Sequence, residues 1–444
     1  MKLSFPHPII ILLSFVVISA LATLIIPSGE FDRVLDEQTG RAVVVPGSYH
    51  EIEDRNASVY DIFLAVPEGF IEGADIIVLI LLLGSSFYVI EKTGALEAGL
   101  TALISSFGKA KSLLFYLLSI FFALCGATFA MQEEIIALAP VLVIFGQRIN
   151  YDLRSVVAIV LGSSLIGGSF SPMNPFGSLL ALNTAELDPS EGFIYRLAFL
   201  ALAILIWTTY HVRAGKLKGA TNDETEILSN TPLSLRHKII LLLTLGGIGA
   251  MGWGIVIQDW GFNEMSACFF AVGIAAGLVG KLGPNGTAKT FAEGFGEMIF
   301  AGVIVGLARS VYLILQDSLI IDTIIYGLFQ PLESLPTPLA VTGMFISNSL
   351  IHFPVPSTSG QALLTIPLAG PLTDLLGLSR QVAVFTYQYG AGLVDVFSPT
   401  NGGMMAVIAA AGISYNYWLR YIWKPILIIM ALGLMASILS IYSF

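Results

Sequence analysis

Charge is what this chain has least of. Only 12% of its 444 residues are Asp, Glu, Lys or Arg, while 55% are hydrophobic, and the mean hydropathy is +0.83. A water-soluble domain carries about a quarter charged residues, so that class is excluded and a bilayer is implied. Cysteine is nearly absent: Cys125 and Cys268 stand far apart in apolar segments. That excludes a disulfide framework and a C-x-x-C pair, and both read as packing residues. The five histidines, His7, His50, His211, His237 and His352, are scattered without H-E-x-x-H spacing, which argues against a zinc enzyme. No nucleotide loop or catalytic metal motif is visible, so no cofactor beyond a coupling Na+ or H+ and no nucleic-acid partner is expected.

What is present is a series of uncharged runs of about 20 residues, the length a helix needs to cross the roughly 30 Å hydrocarbon core. Strands of a membrane barrel would be shorter and alternating. The fold class is therefore an all-α polytopic membrane protein. Its first run, Pro8 to Ile26, is long for a cleaved signal and reads as a signal anchor (residues 1–27), with Ala20-Leu21-Ala22 leaving cleavage open.

The net charge of −10 means little until it is distributed. Residues 28–67 are acidic and without readable chemistry, whereas Lys92, Lys109, Lys111, Arg148, Arg154 and the loop at 214–238 carry the basic residues. By the positive-inside rule the acidic stretch is external and the N-terminus cytoplasmic, and following the spans leaves the C-terminus external in a bacterial inner membrane.

Two stretches do not fit a simple walk. Residues 112–146 hold a polar tip, "GATFAMQEE", with basic residues on both flanks. Two arms too short to span comfortably predict a re-entrant hairpin. The next stretch, 154–186, is interrupted by "FSPMN". Residues 239–292 supply two linker helices, and a second hairpin (337–374) with tip "HFPVPSTSGQ" precedes a second interrupted stretch (380–414) containing "FSPTN".

These features repeat. "EGFIE" at Glu68 matches "EGFGE" at Glu293, and "SSFYVIEKTG" aligns with "SVYLILQDSL" at the same displacement. With two residues more, Pro140 falls on Pro367 and the two FSPxN motifs superimpose. Residues 68–213 and 293–440 thus read as a duplication of opposite membrane orientation, giving about nine spans plus two hairpins. Such inverted repeats suit alternating access to one shared site.

Proline lacks an N–H and disfavours helix in the residue before it, so Pro172 and Pro399 stop their helices. Ser171 and Ser398 are expected to cap the half-helices that follow, with the prolines at the first helical position. Half-helix N-termini suit carboxylates and unwound carbonyls suit cations.

With this pattern the chain resembles the ion transporter superfamily. Within it the chain is similar to the C4-dicarboxylate anaerobic carrier group and its YfcC-like branch, regarded as basic amino acid antiporters. The carrying phrases are "GLARSVYLILQDSLIIDTII" (306–325), "HFPVPSTSGQALLTIPLAGPLTD" (352–374) and "DVFSPTNGGMMAV" (395–407). The resemblance covers nearly the whole chain and implies an elevator-type secondary transporter of small solutes, as a homodimer in the lipid bilayer. The family's hydroxyl, amide and sodium ligands would fall near Ser171, Asn174, Ser398, Thr400 and Asn401. This chain has S-P-M-N and S-P-T-N where dicarboxylate members have Ser-Asn-Thr.

Around these lie Thr358, Ser359 and Gln361 in the second tip, Glu133 and Glu134 in the first, and Asp395 before the second break. Arg309 is read as the basic residue well inside a span, either a clamp for a substrate carboxylate or a structural ion pair with Asp317 or Glu91. Asp317 and Asp322 are expected at the external interface. Three carboxylates against one arginine favour a basic amino acid, arginine or ornithine, with C4-dicarboxylate transport as the alternative. Glu134 equally suits a capping role.

An intramembrane hydrolase would need a nucleophile beside a base, and only Ser359 with His352 tempts; a channel would need a continuous pore. Neither fits paired hairpins and breaks. Cysteines placed singly at Met131 and Ser359 should react with an impermeant thiol reagent from opposite membrane faces. Labelling from one face refutes the inverted hairpins.

Overall fold

The architecture is a computed structural model that describes residues 8–35, 42–107, 111–132, 134–215, 233–258 and 260–444. Glu133 and most of the basic loop at 214–238 lie outside the described residues. Apolar runs become helices here because a helix satisfies its own backbone where no water can.

After α1 (Pro8–Ala22), the acidic stretch holds four short strands. β1 (Gly29–Glu30) pairs antiparallel with β4 (His50–Glu51), and β2 (Arg33–Leu35) with β3 (Ala42–Val44). The same stretch ends in a helix, α2 (Val59–Glu72), begun by a reciprocal cap: the Asp61 amide donates to Ser58 Oγ, and the Ser58 amide to Asp61 Oδ2. Sequence had given this segment no structure, because its anchors are distant. Arg33 Nη2 donates to both oxygens of Asp322 at 2.9 and 2.8 Å, and Tyr49 stacks on Tyr326 at 4.2 Å.

The first half continues as α3 (Ala74–Lys92), α4 (Ala95–Phe107), α5 (Lys111–Phe129) and α6 (Glu134–Arg148). Next come α7 (Leu153–Val157), a π-helical turn (Ala158–Gly162) and α8 (Ser163–Ser169), then a second π-helical turn (Pro175–Leu179), α9 (Leu180–Thr184) and α10 (Phe193–Ala214). Two linker helices follow, α11 (Leu235–Gln258) and α12 (Phe262–Val279). The remainder is α13 (Gly283–Asp317), α14 (Ile321–Phe329), α15 (Thr337–Ile351), α16 (Thr358–Leu375), α17 (Gln381–Gly392), a 3-10 turn (Leu393–Val396), α18 (Gly402–Ala410) and α19 (Tyr415–Ser440).

Among the described residues, six helices are long and apolar enough to cross a membrane. The sequence-based expectation of nine spans exceeds these six by α1 and the two interrupted stretches, whose pieces are each too short to count. Outward faces of α10 and α11 are apolar, with Ile194 74% and Leu242 71% exposed, as a lipid-facing surface requires.

The 35 residues of α13 extend about 52 Å, well beyond the hydrocarbon thickness. This rod packs against α1, α2, α3 and α18. Its approach to α2 depends on glycine: a Cβ at Gly69 would meet the Gly306 carbonyl oxygen at 2.5 Å, so only a bare backbone fits, as at close helix crossings in membranes. Gly69→Leu is expected to cost about 1–3 kcal/mol by overpacking. Thermal unfolding in detergent tests this, and an unchanged midpoint contradicts the tight crossing.

Candidate functional site

The two interruptions are built alike, from side chains that satisfy a backbone left open by proline. At the first, the Asn174 side chain accepts from the Phe176 and Gly177 amides (3.0 and 2.9 Å) with Pro175 at the first helical position. At the second, Asn401 Oδ1 accepts from the Met404 amide at 2.7 Å. The caps are therefore the asparagines, not Ser171 and Ser398 as the motif suggested. The Ser171 hydroxyl closes the preceding turn instead, accepting from the Met173 and Asn174 amides at 2.9 and 2.8 Å. An asparagine side chain reaches the second and third helical amides from where the turn ends, which a serine three residues earlier cannot do.

Each break is also tied to a hairpin. Ser171 Oγ donates to the Ala127 carbonyl (2.6 Å) and Asn174 Nδ2 to that of Gly126 (2.9 Å), both in the last turn of α5. Gly126 permits this, because a Cβ there would lie 1.9 Å from the Ser164 carbonyl oxygen of α8. Asn401 Oδ1 also accepts from Gln132 Nε2 (2.6 Å), at the tip between α5 and α6, while Asn401 Nδ2 donates to Asp395 Oδ1. Ser398 and Thr400 share a hydroxyl–hydroxyl hydrogen bond of 2.6 Å.

In the second tip, Ser357 caps α16 by accepting from the Gly360 amide, and Tyr387 of α17 donates to the Thr358 carbonyl at 2.6 Å. Gln361 is fully buried and donates to Asn348, while its carbonyl oxygen lies 2.7 Å from His352 Nδ1. The other ring nitrogen of His352 lies 2.9 Å from Asp395. With both nitrogens taken, His352 cannot serve Ser359 as a base.

Both tips and both breaks meet around one cavity of about 60 Å³, lined by Gln132, Ser164, Asn174, Thr358, Gln388 and Asp395 among others. That volume holds about two waters, whereas sites for drug-sized ligands span about 300–1,000 Å³. Direct bridges close the cavity, chiefly Gln132–Asn401 and the 2.5 Å bond from Gln388 to the Ser171 carbonyl.

Of the residues expected at the site, Ser171, Asn174, Ser398, Thr400, Asn401, Thr358, Gln361 and Asp395 fall on these four elements. Glu134 is buried and its carboxylate accepts from the Gln132 amide at 3.0 Å, a capping geometry. Ser359 is half-buried and does not line the cavity. Arg309 is also away from it, its stem packed on Gly73 between α2 and α3. No ion pair links it to Asp317 or Glu91 among the described residues.

Sequence reading passed over the deepest arginine. Arg196 of α10 is 0% exposed, donates to Gln388 (2.9 Å), Gln381 (3.0 Å) and the Glu191 carbonyl (2.9 Å), and lies over the Phe385 ring. It positions Gln388, and hence the first break. An arginine inside "FIYRLAFLALAIL" carried that signal.

The C4-dicarboxylate anaerobic carrier (DcuC) family matches residues 5–442. The chain belongs to that family. Like it, this carrier is a membrane transporter and not an enzyme. Curated relatives include an uncharacterised protein of Haemophilus influenzae, 29% identical over 91% of this chain and 83% of the relative. Another is the "Putative basic amino acid antiporter YfcC" of Escherichia coli, 27% identical over 94% of this chain and 92% of the relative. Among solved structures, the carrier is similar to the MtrF efflux pump of Neisseria gonorrhoeae, with 16% identity, TM-score 0.47, and coverage of 99% of this chain and 96% of that one.

Asn174→Ala and Asn401→Ala each remove a cap and a tether between elements. Each should cost about 1–3 kcal/mol of stability and reduce uptake to background with membrane insertion intact. Wild-type uptake by both removes the site assignment.

Proposed function

We propose that this carrier moves a basic amino acid of the arginine or ornithine type, by exchange or ion-coupled transport, through alternating access of two inverted halves. The observation that carries the reading is the charge of the cavity wall. Among the described residues its one charged lining residue is Asp395, and no lysine or arginine lines it. A buried carboxylate in a wall that carries no lysine or arginine suits a guanidinium or ammonium group. The N-terminal ends of the half-helices at Asn174 and Asn401 suit the solute's carboxylate.

Inverted halves are supported by where the ends of the interrupted stretches sit. Near the start of the first, Ser155 shares a hydrogen bond with Tyr421 of α19, and Arg154 lies over the Tyr417 and Tyr421 rings. At the start of the second, Arg380 pairs with Glu186, just past the end of the first, and with Asp374 at the end of α16. The stretches thus run antiparallel. In the elevator reading, α5–α10 and α14–α19 move as the solute-bearing body against α1–α3, α12 and α13. A homodimer, a cytoplasmic N-terminus and an external C-terminus complete the proposal.

C4-dicarboxylate transport is the second reading, favoured by the family description and by His352, which already offsets Asp395. Proteoliposome uptake of labelled arginine, ornithine, succinate and fumarate, with and without sodium or proton gradients, decides between them. Saturable arginine uptake with trans-stimulation is expected. Succinate uptake that arginine does not compete overturns the first reading, and non-saturable flux overturns alternating access.

A further inference from the structure

We propose that the buried His352–Asp395 pair is the binding site for a coupling proton, and that proton and solute exert their effects on one another through Asp395. The inference rests on the preceding reading for the solute's charge, but not for the proton site itself.

The protonation state follows from hydrogen-bond directions. Gln361 Nε2 donates to the backbone oxygen and Oδ1 of Asn348, at 2.9 and 3.1 Å, and Asn348 Nδ2 donates to the Met344 carbonyl. Both amides are therefore oriented by their partners, and Gln361 turns its oxygen toward His352 Nδ1, 2.7 Å away. Nδ1 must carry a hydrogen. Nε2 faces Asp395 Oδ1 at 2.9 Å, and that same oxygen accepts from Asn401 Nδ2. Asn401 is fixed as well, since its oxygen accepts from Met404 and Gln132. A neutral imidazole and an ionised carboxylate would oppose lone pairs at this contact. One proton more is required between them, whichever atom holds it.

The pair is accordingly neutral when loaded and carries one negative charge when empty. His352 is 0% exposed, whereas Asp395 lines the cavity, so loading changes the charge of the wall the solute meets. Of the titratable groups nearby, Tyr387 of α17 donates its hydroxyl to Thr358. Glu134 of α6 stands one residue beyond the pair's link through Asn401 and Gln132. Gln361 and Asn348, the other faces of His352, do not titrate.

The exchange needs no other reactant. Loading forms one N–H or O–H bond with a proton from water; unloading breaks it and returns the proton to water, with no electron moved. A cationic group seated on Asp395 competes with the proton, which couples the two as antiport. An anionic solute instead needs the proton there, which couples them as symport. His352 belongs to the second hairpin, Asp395 and Asn401 to the second break, and Gln132 to the first hairpin, so loading bears on three of the four elements at once.

Binding to purified wild-type carrier in buffers of different ionisation enthalpy counts the protons. Arginine should release about one proton per molecule bound. Succinate binding with proton uptake, and no arginine binding, would retire the basic amino acid reading yet keep the proton site. No net proton movement with either solute overturns the proposal. In proteoliposomes, His352→Gln should lower the ratio of proton-gradient-driven uptake to homoexchange by about tenfold, within the usual range of coupling. An unchanged ratio overturns it too. Should the variant fail to fold, the proton count on the wild type still decides.

Discussion

Everything in this carrier depends on how a polypeptide can stop being a helix inside a hydrocarbon layer. An unpaired backbone amide there costs several kcal/mol, so a break is tolerated only if side chains take over its hydrogen bonds. Asn174 and Asn401 do so, and each also reaches a neighbouring element, Gly126 on one side and Gln132 with Asp395 on the other. Stability and function therefore share the same amides. In the proposed cycle, a group that holds the break together is the group a solute must displace or work around.

The electrostatics follow the same logic of substitution. Buried charge is carried by networks rather than by isolated ions: Arg196 on two glutamines and a carbonyl, and Asp395 on His352 and Asn401. Among the described residues, neutral amides outnumber carboxylates around the cavity. In the proposed reading such a wall discriminates by the placement of donors and acceptors as much as by charge, in keeping with a family described by its C4-dicarboxylate carriers.

Much of this was legible in the sequence because breaks in apolar runs are rare and costly. The two FSPxN motifs, the tips and the long spans stood out for that reason. The residue that caps did not, since the serine before proline and the asparagine after it both read as helix starts and only geometry decides between them. Arg196 and Gln388 were missed because a single polar residue in a long apolar run gives no direction, and the partners of Arg196 lie nearly 200 positions away; Gln132 was passed over beside the two glutamates of its tip. The small strands beside α2 were invisible for a similar reason, being held by contacts to Asp322 and Tyr326 far along the chain. Arg309 drew attention by its charge, yet it packs at the α2–α3 junction, where pattern alone gave no warning.

One asymmetry remains. The long rod α13 is continuous, whereas the stretch that the expected duplication pairs with it is parted at Gly73 into α2 and α3. In the proposed cycle the moving body meets a scaffold with two walls of unequal stiffness, so its inward-open and outward-open forms differ in energy even with identical solutions on both sides. The chain itself then sets which way the carrier faces at rest.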